Sequence, residues 1–280
     1  GIINSRGVSA RGGNIELNAA GDVRVRGIIS RVSSDEDTAE DNSQTEGGSI
    51  TITAGGSVDA TAGKVDSSSS SGVGGNIAIT ATGNITSAEV NSQGGSGGGG
   101  ISITSTDGGV NATQGKIDSS AETGIGGNVD IEANGVVVTG DVISEGNREG
   151  GNIEITSAVG DVDTSSGKLD PASEGGVGGD ITINAPLGSI ALGTIEGDAV
   201  TNQGDSATDL ETELTDVTQE DVAVGDGGAV RLEAHNDITI DEAIASDSIS
   251  SLEMRAGRNV DINANINTAG SNGDISIQAN

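Results

Sequence analysis

Apolar and polar residues alternate in short runs that recur along the whole chain. The segment Gly-Gly-Asn-Ile-x-Ile-x-Ala returns in versions such as GGNIELNA, GGNIAITA and GGDITINA, and two degenerate copies, SLEMRA and NGDISIQA, follow. The first apolar residues of these runs are Ile15, Ile50, Ile77, Ile101, Val129, Ile153, Ile181, Val230, Leu252 and Ile275. A period of two, β-branched residues and flanking Gly, Asn, Ser and Asp predict a β-strand at each of these places.

Two further apolar positions follow each first strand and predict a second and a third strand. The second strands contain Val23, Val58, Ile85, Val110, Val137, Val162, Ile190, Ile238 and Val260. The third strands contain Ile28, Val65, Val90, Ile117, Val142, Leu169, Ile195, Ile244 and Ile266. Such short strands are stable only when equivalent coils stack and pair. We therefore predict an all-β, right-handed parallel β-helix (β-solenoid) with three short strands per coil and about nine to ten coils.

The repeating unit is two coils long. The motifs GKVD at 63, GKID at 115 and GKLD at 167 recur at intervals of 52 residues. Glycines in the corners are predicted to supply positive φ angles. The outward row of the third strands, which alternates in charge, predicts an ion-pair ladder between coils. That row is Lys64, Glu89, Lys116, Asp141 and Lys168.

A second polar row precedes the first strands. It contains Asn14, Asn76, Asn128, Asn152 and Asp180. Recurrent Asn at one corner predicts a ladder of side-chain amides that satisfies backbone groups of the turns.

Residues 1–280 are predicted to form a single solenoid segment with two acidic loop insertions. Residues 33–46 contain 6 acidic residues and residues 198–226 contain 9, and neither range has a basic residue. Within the second insertion, LETEL at 210–214 fits either a helical turn or a short strand. The chain starts on a third strand and stops after a first strand. We therefore expect either a piece of a longer solenoid or a subunit that stacks end to end.

Composition narrows the classes of function. The chain has 48 Gly, no Phe, Tyr, Trp or Cys, and a formal net charge of −31. A core of Ile, Val, Leu and Ala in thin layers follows from the missing aromatic residues. The negative charge argues against nucleic-acid binding, and without a long apolar run we expect no direct membrane insertion.

The sequence lacks complete patterns for a calcium-binding, a catalytic or an ice-binding site. GGVGGD at 175–180 begins like a calcium-binding nonapeptide, but it is followed by Ile-Thr-Ile and has no tandem copy. His235 lies beside a predicted turn without a nucleophile motif, and is expected to be a surface residue. The outward Thr residues do not form the complete array that ice binding needs. We therefore assign no catalytic, cofactor-binding or metal-binding residue, expect no cofactor, and expect that the protein is not an enzyme.

The GGNIxIxA units, three strands per coil, Gly-rich corners and lack of aromatic residues resemble the repeat region of filamentous haemagglutinin-like exoproteins of Gram-negative bacteria, including the large acidic ones of cyanobacteria. The resemblance covers residues 12–280. It implies a secreted protein of the two-partner secretion type, located outside the cell or on its outer surface. No binding residue of that family maps onto this chain.

The function expected from these observations is a non-catalytic, extracellular structural stalk or adhesin segment. Its partners would be polysaccharide or protein of a cell surface or matrix. Two other classes stay open: a self-assembling extracellular filament subunit, and a carbohydrate- or ion-binding β-helix module.

Overall fold

Parallel β-strands, stacked coil on coil, make up the chain in a computed structural model. The structure describes residues 1–8, 11–33, 46–173, 178–179, 181–185, 187, 190–192, 194–195, 210–219, 229–240, 244–245, 251–256, 258–263, 265–267 and 274–279. Most of the two predicted acidic insertions lies outside these residues, and so does most of the GGVGGD segment. Among the described residues there are strands and turns but no helix.

The first strands of the regular coils have five residues each. They are Ile15–Ala19, Ile50–Ala54, Ile77–Ala81, Ile101–Ser105, Val129–Ala133, Ile153–Ser157 and Ile181–Ala185. Each pairs in parallel with the next, and the first apolar residues stand opposite one another, as Ile15 does with Ile50 and Ile153 with Ile181. The predicted register of these strands is therefore confirmed.

The second and third strands are shorter and complete each coil. The second strands are Val23–Arg24, Val58–Ala60, Ile85–Ser87, Val110–Ala112, Val137–Thr139, Val162–Asp163 and Ile190–Leu192. The third strands are Ile3–Asn4, Ile28–Ile29, Val65–Asp66, Val90–Asn91, Ile117–Asp118, Val142–Ile143, Lys168–Asp170 and Thr194–Ile195, and they form one 8-stranded sheet. Two additional short strands, Gly7–Val8 and Val32–Ser33, pair with each other. Three strands per coil in a parallel β-solenoid is the architecture that the sequence predicts.

The core is a column of branched aliphatic side chains along the solenoid axis. Ile52, Ile79, Ile103, Ile131, Ile155 and Ile183 are each at most 1% exposed and stand in one row. Val and Ile from the second and third strands close the other two sides in one continuous cluster. Burial of each such side chain contributes about 1.5–3 kcal/mol relative to exposure. The predicted core of Ile, Val, Leu and Ala is thus confirmed.

The glycines of the third corner serve close packing of the backbone. A β-carbon at Gly98 would overlap the carbonyl oxygen of Ser119 and the amide nitrogen of Gly127 in the next coil. A serine hydroxyl bonds to the backbone of the same corner, since Ser119 Oγ donates to the carbonyl of Gly127. Positive φ is recorded only at Gly27 among the described glycines. The expectation that these corners need positive φ was therefore wrong, because steric contact between neighbouring segments sets the requirement instead.

A further coil strand lies inside the range for which the sequence predicts an acidic loop. Leu210–Gln219 is a strand, and Leu210 stands opposite Ile181 and Val217 opposite Ile190. Apolar residues at the core positions explain this, since Leu210 and Leu214 occupy the register positions of Ile181 and Ala185. The loop interpretation of 198–226 thus fails at 210–219, where LETEL is a strand. The rest of that range lies outside the described residues.

The ladder continues through the remaining described strands. These are Ala229–Ile240, Ile244–Ala245, Ser251–Ala256, Asn259–Ile262, Ile266–Asn267 and Asp274–Ala279. Val230, Leu252 and Ile275 continue the row of first apolar residues. His235 lies within the strand Ala229–Ile240, at the register irregularity between Ala234 and Asp237.

Candidate functional site

An open groove lies on the outer surface of the first strands. Its volume is about 460 Å³. Three of the residues that line the groove, Ala78, Gly100 and Ser102, are small, whereas Asp130 and Glu154 on the following coils carry longer side chains. Its lining consists of Asn76, Ile77, Ala78, Gly100, Ile101, Ser102, Asn128, Val129, Asp130, Asn152 and Glu154.

The asparagines at the rim of the groove bond to the backbone of the next coil. Asn76 Oδ1 accepts the Gly100 N–H at 2.9 Å, and Asn128 Oδ1 accepts the Asn152 N–H at 2.9 Å. The predicted Asn ladder therefore satisfies backbone donors, which bond to the side-chain amide oxygens. The rim asparagines thus have a structural role already, which explains their recurrence without a ligand.

The acidic side of the groove is electrostatically unfavourable. Asp130 and Glu154 stand opposite each other in adjacent strands, and Glu132 lies two residues along. Burial, followed by the charges of Glu154 and Glu132, raises the pKa of Asp130. Like charges in register are destabilising, so this surface favours hydrogen-bond donors or cations.

Those features alone do not define a ligand. In the part of the chain that the structure describes, no group of three or more His, Asp or Glu side chains could hold a metal ion. The chain has no aromatic residue that could stack on a sugar ring. The groove is therefore an open surface depression, and its lining residues do not select one class of small molecule.

A second polar site lies at the third strands, where carboxylates are buried. Asp66, Asp118 and Asp170 are at most 2% exposed and occupy equivalent positions in alternate coils. Lys64 Nζ lies 2.9 Å from Asp66 Oδ2, and Lys168 Nζ lies 2.6 Å from Asp170 Oδ2. Lys116 forms the same pair with Asp118.

These ion pairs correct the predicted ladder. Each Lys pairs with the Asp two residues later in the sequence, and Lys168 Nζ also lies 3.9 Å from Glu145 Oε1 of the preceding coil. The reason is burial: an ionised carboxylate without water needs a partner, whereas an exposed pair is worth little. A Lys-x-Asp pattern with period 52 could have revealed this pairing.

Hydrogen bonds hold the buried carboxylates in place as well. Asp66 Oδ1 accepts the Ser68 N–H at 3.1 Å and the Ser68 hydroxyl at 2.6 Å. Burial acts to raise the pKa of Asp66, but the bonds from Ser68 and Lys64 outweigh it and lower that pKa. Asp66 is therefore ionised at neutral pH, and its role is to tie the turn to the strand.

Comparison with known proteins adds no assignment. No protein-family model matches the chain, and no curated protein or solved structure matches it significantly. A search of the described residues for a helix with the length and apolar character of a membrane span found none.

Proposed function

We propose that this chain is a non-catalytic, rigid stalk segment of a large extracellular surface protein of the filamentous haemagglutinin-like type. The observation that supports it is the unbroken in-register pairing of first strands from Ile15 to Ile183 around one aliphatic core. Because every coil is hydrogen-bonded to the coils above and below, bending would break bonds along several strands at once.

The surface of the rod suits such a role. A net charge of −31 keeps the rod soluble and repels similar rods. Residues 33–46 and 198–226 contribute 15 of the 43 acidic residues. Adhesion itself would require a partner, and we propose a cell-surface or matrix polysaccharide or protein, in keeping with the family resemblance.

The stalk proposal predicts that length follows coil number. Residues 101–152 span one two-coil unit of 52 residues, so a second copy inserted before Ile153 continues the register. The particle should become longer by about 9–10 Å, at 4.7–4.9 Å per coil, without becoming wider. Small-angle X-ray scattering and electron microscopy measure both dimensions. An unchanged length, or loss of cooperative unfolding, would contradict a modular rod.

Surface location needs a separate test. An antibody against residues 101–152 should label intact cells that make the full gene product, and external protease should remove the label. Label that appears only after cell lysis would contradict the extracellular proposal while leaving the rod architecture intact.

A further inference from the structure

One corner of the third strands brings the carboxyl groups of Glu145 and Asp170 to the same lysine, Lys168. Gln93 and Glu145 are 52 residues apart and therefore occupy the same position in successive two-coil units. The Asp118 and Asp170 carboxylates of the following coils are also 52 residues apart, as are Lys116 and Lys168. The backbone pairing is the same in both units, since Asn91 stands opposite Asp118 and Ile143 opposite Asp170.

The Gln93 side chain shows which bond this position makes. Its Nε2 donates to Asp118 Oδ2 at 2.8 Å and to Ser120 Oγ at 3.0 Å. A neutral amide donor thus meets a buried carboxylate and helps to satisfy it. At Glu145 the same position holds a carboxyl group, which can donate a hydrogen bond only when it carries a proton.

We propose that Glu145 and Asp170 share one proton across adjacent coils, so that this corner of the solenoid is tight when Glu145 is protonated and loosens when the proton leaves. The protonated carboxyl of Glu145 donates to the ionised carboxylate of Asp170. When the proton passes to water, the hydrogen bond is replaced by repulsion between two negative charges.

The surrounding charges decide which carboxyl keeps the proton. Lys168 Nζ lies 2.6 Å from Asp170 Oδ2 but 3.9 Å from Glu145 Oε1. Asp170 Oδ1 also accepts the Ala172 N–H at 3.2 Å. Asp170 is therefore the better stabilised anion, and Asp118 on the preceding coil adds a further negative charge near Glu145.

The pKa values agree with this division. The hydrogen bond to Asp170, followed by burial, raises the pKa of Glu145 from 4.5 to about 7, and Lys168 only partly opposes this. Burial acts to raise the pKa of Asp170, but the hydrogen bonds from Glu145, Lys168 and Ala172 outweigh it and lower that pKa. Glu145 therefore titrates near neutral pH.

The sign of the effect on stability follows from proton linkage. Between pH 4.5 and about 7 the folded chain holds a proton on Glu145 that the unfolded chain releases. Stability from this group is therefore complete below pH 4.5 and is lost as the pH rises to about 7. Because the Glu145 side chain is 47% exposed, solvent screening reduces the effect.

The test compares the whole chain with three variants. Glu145→Gln restores the amide of the Gln93 position and should remove the pH dependence of this corner. Gln93→Glu should create a second carboxyl pair with Asp118. Glu149→Gln removes an exposed charge from the same corner and serves as the charge-matched control.

Urea unfolding is measured from pH 5 to pH 8. The unfolding constant of the wild type should rise with pH on the order of tenfold more than that of Glu145→Gln, whereas Glu149→Gln should follow the wild type. Gln93→Glu should steepen the dependence. An identical pH dependence of wild type and Glu145→Gln would overturn the proposal.

A direct readout covers the case in which a variant folds poorly. In wild-type protein labelled with ¹³C at the Glu side chains, the Glu145 carboxyl resonance, assigned by its absence in Glu145→Gln, should titrate near neutral pH. Titration of that resonance near the ordinary value for Glu would overturn the proposed proton sharing, whatever the unfolding data show.

Discussion

Buried Ser and Thr residues of the solenoid differ in whether their hydroxyl groups have a hydrogen-bond partner. Ser67, Ser92 and Ser119 are buried and each donates to a glycine carbonyl of the adjacent corner segment. Thr139 and Ser87 are equally buried, but their hydroxyl oxygens have no hydrogen-bond partner among the described residues. The first kind links a strand to its corner; the second kind carries only the cost of desolvation.

We therefore expect Thr139→Val to stabilise the protein by about 1 kcal/mol, because a methyl group of similar shape replaces an unpaired hydroxyl. Ser119→Ala is the matched control, since it removes a hydroxyl that is bonded and should destabilise by about 1 kcal/mol. Chemical denaturation of both variants measures the difference. If Thr139→Val is less stable than wild type, the hydroxyl has a partner or a packing role that the structure does not record.

In the third corner, packing between coils decides which glycine can be replaced by a larger residue. Gly98 lies against the backbone of the next coil, whereas a β-carbon at Gly100 would meet nothing nearer than Asn76 Oδ1 at 3.6 Å. The two glycines are two residues apart in the same Gly-rich segment, so a comparison of the two positions isolates the effect of packing. Backbone atoms cannot move aside as a flexible side chain can.

Gly98→Ala should destabilise the solenoid by several kcal/mol, because the overlap forces adjacent coils apart. Gly100→Ala should have an effect of roughly 0.5 kcal/mol or less, and it should partly fill the groove on the first strands. Thermal unfolding followed by circular dichroism checks both. Equal melting temperatures for the two variants would contradict the steric explanation of the corner glycines.

The strands were predictable from the sequence because period-two alternation reports directly which residues face the core. A strand at 210–214 was only one of two alternatives, because Thr212 and the flanking acids break the Ile-x-Ile pattern, although Leu210 keeps the register. The ion-pair partners of the lysines were harder to predict from the sequence. Whether Lys64 binds Asp66 or Glu89 depends on burial of the carboxylate, and a one-dimensional charge pattern does not contain it. The groove could not be predicted from the sequence either, because it depends on the sizes of side chains that neighbouring coils bring together.

Charge dominates the behaviour of the whole molecule. The formal net charge is −31 on 280 residues, and the outer faces carry carboxylates in adjacent coils, as at Asp130 and Glu154. Repulsion among these groups opposes the compact state and weakens as salt screens it. A structural calcium site would respond differently, because an ion that binds only the folded chain stabilises by mass action at low concentration.

We expect salt to stabilise the protein by screening alone, without a specific effect of calcium. NaCl should raise the melting temperature by roughly 2–4 °C, equivalent to about 1 kcal/mol for a chain of this size. CaCl₂ and MgCl₂ at one concentration should act alike, because the described residues contain no cluster of three or more metal-binding side chains and the buried Asp66, Asp118 and Asp170 are already occupied by lysines. Calorimetry in the three salts measures this. A rise with calcium well above that with magnesium, reversed by a chelator at constant ionic strength, would show that calcium is part of the fold.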